Sequence, residues 1–360
     1  NPVVYERMSR IFSRTRVYEP FLGGDRVEDV ALYASFFSKH DPADNGRRVD
    51  DPHLSGRIPH VEAITRSART LIERHVPWGI ASRRNLATLS RWKAIVLPCV
   101  FSLGEDEAEA LRAYVAGGGR LYASRQASLD GTDGKRRADY LLADVFGVSW
   151  KGETKEAFTY LAPTEKGRAV FENYTTAHPL GLFAPQAIAV ARPGAEVLAT
   201  ITLPYTDPAD PVNFTSIHNN PPGVATHHPA LVVNRFGKGM AAWCAGDLET
   251  AEFSENVFAN VIGLLAAPYT VEADTPKPVE VTTFRQESGR WVISLLNFQR
   301  DLPPIPVEGI AVRARIGTRK PARVMLAADG KPLAFSFGDG VLSFTLPRLE
   351  VFAMVVVEPA

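Results

Sequence analysis

Residues 92–124 read WKAIVLPCVFSLGEDEAEALRAYVAGGGRLYAS, and this stretch indicates the class of fold. An apolar run at residues 94–97 predicts a buried strand. Acidic residues at 105–107 are typical of a helix N-terminus, and the glycines at 117–119 end that helix. Residues 121–123 predict the next strand. A strand, a helix and a strand in this order predict a parallel sheet covered by helices.

The same alternation extends toward the N-terminus. Residues 27–33 and 78–81 have the composition of buried strands, and residues 61–72 between them carry apolar side chains on one helical face. Residues 1–25 predict a helical lead-in, because Val4, Met8, Ile11 and Phe12 recur at helical spacing; this apolar face would cover something else.

Beyond Trp150 the pattern turns toward β structure within the same domain. The Gly-rich turn at residues 234–239 separates two apolar runs and predicts a hairpin, and residues 258–265 predict a closing helix. We therefore expect one α/β domain over residues 26–268. After a Pro-containing linker, residues 269–360 alternate short apolar runs with turns and predict a small antiparallel β-sandwich. Its strands are expected at residues 279–284, 291–297, 310–315, 322–326, 341–346 and 351–357.

The composition excludes some functions. Lys and Arg together number 40, as do Asp and Glu, so no net positive charge attracts nucleic acid or anionic lipid. No run reaches the ~18 apolar residues that a membrane helix needs. Cys99 and Cys244 lie in apolar runs and are expected to be buried, reduced thiols. We expect a soluble, cytoplasmic chain whose start, without Met or a signal sequence, is a cut in a longer polypeptide.

Four stretches carry a family resemblance over nearly the whole chain: residues 18–33, 92–124, 236–247 and 349–357. In this order they resemble the region that follows the TIM barrel in family 42 β-galactosidases and fucosidase-like hydrolases. The resemblance implies a flavodoxin-like, class I glutamine amidotransferase-like domain, often called the trimerisation domain, and then a β-sandwich. It also implies an upstream catalytic TIM barrel, a homo-oligomer, and a carbohydrate as the substrate of the parent enzyme.

Each of these two chemistries, amidotransfer and glycoside hydrolysis, needs particular residues. An amidotransferase needs a cysteine on a tight strand-to-helix turn, but residues 124–128 read SRQAS, and the neighbours of Cys99 offer no base. A glycosidase needs two carboxyl groups across the scissile bond, whereas the acidic cluster at residues 105–109 is explained by its position at a helix N-terminus. We therefore predict no catalytic residue, no cofactor and no metal in this chain.

The loop around residues 216–229 is rich in histidine and asparagine. One interpretation is a loop that contacts sugar, because imidazole and amide groups bond hydroxyls; the other is a proline-braced loop whose side chains bond the backbone. A metal site is disfavoured, since no acidic ligand stands beside the adjacent histidines. The candidate substrate-binding residues are His218, Asn219, Asn220, His227 and His228.

Three functions follow as hypotheses. The leading one is a non-catalytic accessory and oligomerisation region of a β-galactosidase-like glycoside hydrolase. The alternatives are a free-standing amidotransferase-like hydrolase that works through Cys99 or the histidine loop, and a carbohydrate-binding module.

Overall fold

A computed structural model describes residues 1–39, 58–206, 212, 220–251, 255–301 and 303–360. The chain divides into two compact units. The larger unit comprises Val30–Thr70 and Gly79–Pro268, and the smaller unit comprises Asn1–Asp29, Leu71–Trp78 and Tyr269–Ala360.

The helices of the described residues are α1 (Pro2–Thr15), α2 (Pro59–Glu73), α3 (Glu105–Ala116), α4 (Ala143–Phe146), α5 (Arg168–Phe171) and α6 (Glu255–Ala266). The strands are β1 (Asp25–Arg26), β2 (Val30–Tyr33), β3 (Trp78–Ala81), β4 (Ala94–Leu97), β5 (Arg120–Ser124), β6 (Val148–Glu153), β7 (Thr159–Pro163), β8 (Leu180–Leu182), β9 (Ala187–Ala191), β10 (Glu196–Pro204), β11 (Pro222–Phe236), β12 (Gly239–Cys244), β13 (Val271–Asp274), β14 (Val279–Arg285), β15 (Trp291–Asn297), β16 (Val307–Arg315), β17 (Arg323–Leu326), β18 (Phe335–Gly338), β19 (Val341–Leu349) and β20 (Phe352–Glu358). Short 3₁₀ helices occur at Arg16–Phe21, Phe37–Lys39, Arg83–Arg91, Glu165–Gly167 and Leu248–Thr250.

The larger unit is built on a nine-stranded mixed sheet of order β3-β2-β4-β5-β12-β11-β10-β7-β8. Strands β2, β4, β5 and β12 run parallel, whereas β12, β11, β10, β7 and β8 pair antiparallel. The predicted parallel sheet is therefore one part of a larger mixed sheet. The direction changes at the predicted hairpin, where Phe236 pairs with Gly239. Strands β6 and β9 form a separate antiparallel pair.

The parallel strands form where both faces of the sheet are covered. All four residues of β4 are fully buried, which explains why the run is apolar throughout instead of alternating. On α3, Leu111 and Val115 are buried, and the ring of Phe258 on α6 packs edge-on against Tyr122 of β5 at 5.4 Å. The predicted α3 and β4 are confirmed residue by residue.

The smaller unit is a sandwich of two antiparallel sheets, of order β1-β14-β15-β20-β17 and β13-β16-β19-β18. Both sheets contribute to one core: Val279, Ile293 and Val355 come from the first, and Val312 and Phe344 from the second. The six predicted strands all form, with bounds shifted by up to three residues at an end. Strands β13 and β18, four residues each, were not predicted.

The N-terminal segment belongs to the smaller unit, because β1 pairs with β14. Helix α1 contains all four apolar positions that predict it and ends at Thr15, and a 3₁₀ helix containing Pro20 follows it, so the helix covers only part of the predicted lead-in at residues 1–25. Its apolar residues Val4, Ile11 and Phe12 are exposed within the described chain. No helix in the described ranges is long and apolar enough to cross a membrane.

Candidate functional site

The carboxyl ends of β2, β4, β5 and β12 meet at one edge of the sheet, here called the carboxyl edge. The strands are aligned by their register, in which Leu97 pairs with Ala123 and Ser124 pairs with Cys244. Ligands of open α/β sheets bind at this edge, in crevices beside the strand ends. The residues that follow these strands are therefore candidates for a functional site.

Glu249 is a buried carboxyl group at the carboxyl edge, in the 3₁₀ helix after β12. Its oxygens accept hydrogen bonds from the hydroxyls of Ser124 at 2.5 Å and Tyr122 at 2.7 Å. Burial raises the pKa of Glu249 to about 7, against the lowering effect of the Ser124 hydrogen bond. The carboxyl therefore changes protonation near neutral pH, although bulk solvent does not reach it.

Cys99 lies directly beside this carboxyl group. Its Sγ is 3.9 Å from Glu249 Oε1 and 3.6 Å from Ser124 Oγ, and its backbone N–H donates to Ser124 Oγ at 2.9 Å. Burial raises the pKa of the Cys99 thiol well above its ordinary value, and the Glu249 carboxyl raises it further. An activated nucleophile requires the opposite shift. The geometry is that of a protonated packing thiol, as the sequence predicts, and it disfavours an amidotransferase-like reaction at Cys99.

Arg125 occupies the strand-to-loop turn at which an amidotransferase would place its cysteine. Its φ of 52° lies in the left-handed region, as do the φ angles of Cys99 (48°) and Ser128 (65°). Although burial lowers the pKa of the Arg125 guanidinium, the carboxylates of Asp247 and Glu153 raise it by more, so the group stays charged. Backbone strain clustered in this way is typical of functional sites.

His60, at the start of α2, joins the ends of β2 and β4. Its Nδ1 bonds the carbonyl oxygen of Pro98 at 2.7 Å, and its Nε2 accepts the backbone N–H of Ser35 at 3.0 Å. Burial lowers the pKa of His60. A neutral ring with both nitrogens engaged holds two loops together and is not placed to act as a base.

Of the predicted substrate-binding residues, His218 and Asn219 lie outside the described residues. Asn220 is bonded within the fold: its carbonyl accepts the Tyr160 hydroxyl at 2.5 Å, and its Oδ1 accepts the backbone N–H of Thr206 at 3.3 Å. This bonding matches the interpretation of a loop that satisfies its own backbone.

His227 and His228 are exposed on β11. Opposite them, the register with β10 shifts from Thr200↔Pro229 to Thr202↔Ala225, so both histidines lie in a β-bulge. Bulges often redirect side chains beside functional sites. No group of three or more potential metal ligands occurs among the residues that the structure describes.

Sequence reasoning missed Glu249, together with its partners Tyr122 and Ser124. Glu249 is 150 residues from Cys99 along the chain, and only the parallel register of β4, β5 and β12 brings them together. No local pattern around residue 249 indicates a buried carboxyl group.

Comparison with known proteins shows similarity at the level of structure only. No family model and no curated protein matches the chain. An α-L-fucosidase isoenzyme 2 from Paenibacillus thiaminolyticus superimposes with a TM-score of 0.78 and 18% identity over 100% of this chain and 53% of its own. A β-galactosidase from Bacillus circulans sp. alkalophilus superimposes with a TM-score of 0.68 and 14% identity, over 98% of this chain and 45% of its own. A GH42 β-galactosidase from G. stearothermophilus superimposes with a TM-score of 0.65 and 15% identity, over 99% of this chain and 44% of its own. At these identities the likeness shows the fold, and the chain spans about half the length of each neighbour.

Proposed function

We propose that this chain is the non-catalytic accessory and oligomerisation region of a β-galactosidase-like glycoside hydrolase, whose catalytic TIM barrel precedes residue 1. The observation that carries the proposal is the coverage of the structural neighbours. The whole chain superimposes on about half of a fucosidase and of β-galactosidases. The other half of each neighbour has room for a barrel of typically about 250 residues.

The carboxyl groups at the carboxyl edge support this proposal. Hydrolysis of a glycosidic bond needs two carboxyl groups that flank an open cleft. Glu249 is enclosed by Ser124 and Tyr122, while Asp247 and Glu153 lie beside the Arg125 guanidinium. Groups engaged in this way are poorly placed to protonate or attack a sugar, so bond cleavage belongs elsewhere in the protein.

The apolar face of α1 also supports it. Val4, Ile11 and Phe12 are exposed although the helix has the spacing of one that packs against a partner. In the proposal, this face packs against the upstream domain, and residues 26–268 and 269–360 are the α/β domain and the sandwich domain that follow it.

Exposed side chains of the larger unit support a role in assembly and in sugar contact. Phe183 and Tyr205 are large aromatic residues that are more than 60% exposed, as interface residues are before they assemble. We infer a homo-oligomer from these exposed side chains. A cytoplasmic location is a separate part of the proposal. His227 and His228, exposed in their bulge, contact the carbohydrate substrate of the parent enzyme in this proposal.

The gene sequence upstream of the codon for Asn1 tests the proposal. We expect an open reading frame there with eight alternating strand and helix patterns over about 200–400 residues, and carboxyl side chains at the ends of two predicted strands. An initiator Met immediately before Asn1 would contradict it.

A further inference from the structure

A small pocket opens at the carboxyl edge beside the buried Glu249 cluster. It has a volume of about 100 Å³ and is lined by Pro59, Cys99, Phe101, Arg125 and Gln126, which we call the carboxyl-edge pocket. Ordinary ligand pockets begin at about 300 Å³. A cavity of this size therefore takes one end of a small molecule and not a whole large ligand.

The polar groups of the carboxyl-edge pocket are mainly hydrogen-bond donors. The Nη2 of Arg125 donates to Glu153 Oε1 at 3.0 Å, whereas its Nη1 is 3.9 Å from Asp247, beyond hydrogen-bond distance. The Oε1 of Gln126 accepts from Arg136 at 2.8 Å. Within the described part of the chain, Nη1 and Nε of Arg125 and the amide NH₂ of Gln126 therefore have no acceptor, and the pocket suits oxygen atoms.

The local charge selects neutral oxygen atoms over anionic ones. The single positive charge of Arg125 faces two carboxylates, Glu153 and Asp247. The Arg136 guanidinium beside Gln126 is itself paired with Asp130 at 3.0 Å. An anion entering the pocket would therefore meet a net negative surrounding and would have to compete with Glu153 and Asp247 for the Arg125 guanidinium. A hydroxyl group accepts from the guanidinium at no such cost.

Arg125 is held in place before any ligand arrives. Its backbone N–H donates to the Cys244 carbonyl at 2.8 Å, and its own carbonyl accepts the Tyr140 hydroxyl at 3.0 Å and the Trp243 indole N–H at 3.3 Å. Three bonds fix a backbone conformation that an arginine seldom adopts. The guanidinium itself is held by the hydrogen bond from Nη2 to Glu153, so a weak ligand loses little free energy in ordering it.

We propose that the carboxyl-edge pocket binds the vicinal hydroxyl groups of a monosaccharide or small polyol. The hydroxyl oxygens accept from Arg125 and Gln126, and the carbon side of the diol lies against the ring of Phe101 and the Cys99 thiol. This site is separate from the exposed histidines of β11 and needs no other domain.

Binding is tested by calorimetry and thermal unfolding of the purified chain with glycerol, D-galactose and L-fucose as probes and sulfate as the anionic comparison. We expect saturable binding of at least one hydroxyl compound in calorimetry, a melting temperature that rises and levels off with its concentration, and no saturable binding of sulfate. Saturable sulfate binding, or flat titrations with all three hydroxyl compounds, would overturn the proposal.

Two variants locate the site, and a third is the matched control. Arg125→Lys loses the planar fork of donors and Gln126→Ala loses the amide, so each is expected to raise the Kd about tenfold. Arg112 does not line the pocket, and its guanidinium is paired with Asp144 at 2.8 Å. Arg112→Lys removes this comparable guanidinium and is expected to leave the Kd unchanged. If Arg125→Lys does not fold, Gln126→Ala decides, because its side chain is only partly buried. Wild-type affinity in the pocket variants that fold would refute the assignment.

The two cysteines give an independent readout. Both are buried, but Cys99 lines the pocket and Cys244 does not. A bound sugar or polyol is expected to slow modification of Cys99 by a small neutral thiol reagent several-fold relative to Cys244, measured by mass spectrometry. Equal slowing of both thiols would indicate general stabilisation and contradict binding at this pocket.

Discussion

Glu249 shows how much of this site depends on contacts between distant residues. The sequence predicts correctly that Cys99 is a packing thiol, because its neighbours are apolar. It gives no sign of the carboxyl group 3.9 Å away, nor of the hydroxyls of Tyr122 and Ser124 that bond this carboxyl group. These contacts arise from strand register, which a single sequence does not specify.

Replacement of Glu249 by Gln tests its titration. The folded pKa of about 7 lies above the ordinary value of 4.5 for a glutamate, so the stabilisation that this residue provides is complete below about pH 4.5 and is lost as pH rises through about 7. Glu249→Gln does not titrate. We therefore expect its unfolding free energy, relative to wild type, to improve by roughly 2–3 kcal/mol between pH 5 and pH 8.

Urea unfolding of both proteins at the two pH values measures this difference. Tyr122→Phe serves as the comparison. It removes a hydrogen bond that lowers the pKa of Glu249, so we expect the pH-dependent loss of stability to occur at higher pH in this variant. The same difference between wild type and Glu249→Gln at both pH values would contradict the assignment.

Elements with strong local signals were predicted well. Strands β4 and β15 have the bounds that their apolar runs predict. Helix α3 begins at its acidic first turn and ends directly before Gly117, as the sequence predicts. The short strands β8 and β18 were missed, since three or four residues carry too little pattern to recognise. The mixed direction of the nine-stranded sheet follows from how the strands pair, which the sequence does not show locally.

Glu107 connects α3 to β2. The sequence explains it as one of several acids at a helix N-terminus, but its carboxylate also accepts the Gly104 backbone N–H at 2.9 Å and the buried Tyr33 hydroxyl at 2.5 Å. Glu107→Ala leaves both donors unpaired, and we expect it to lower the unfolding free energy by about 2–3 kcal/mol. Glu109→Ala, at an exposed position two residues later, is expected to change it by less than about 0.5 kcal/mol. Equal effects of the two variants in urea unfolding would disprove this role.

Gly239, at the start of β12, permits a close approach to the end of α3. A Cβ atom there would lie 2.1 Å from the Val115 carbonyl oxygen and 2.2 Å from that of Gly119. Gly239→Ala must displace backbone, so we expect a loss of about 2–3 kcal/mol in unfolding free energy. Gly338→Ala, whose Cβ would meet open space, is the matched control and should be near neutral. Thermal unfolding that ranks them in reverse would contradict this packing.

At the scale of the whole molecule, the predicted combination of an α/β domain and an antiparallel sandwich is present, in a chain that superimposes on about half of several glycosidases. The accessory role remains our proposal. It explains why a helix with an apolar face is exposed and why the carboxyl groups at the carboxyl edge are engaged within the fold.

Phe12→Ser tests whether α1 packs against an upstream domain. Phe12 is exposed, so we expect a change of less than about 0.5 kcal/mol in the unfolding free energy of this chain. In a polypeptide extended through the upstream domain, burial of the ring should make the same substitution cost about 1.5–3 kcal/mol. Ser13→Ala, at the next exposed position, is the control and should have little effect in either protein. Equal effects of Phe12→Ser in the two proteins would exclude α1 as the contact.

The accessory role is tested by hydrolysis of aryl β-galactoside and aryl α-L-fucoside, measured side by side for this chain and for the polypeptide extended upstream. We expect turnover by the extended polypeptide on at least one of these substrates and none above background by this chain alone. Turnover by this chain at an enzymatic rate, retained through repeated purification, would contradict it.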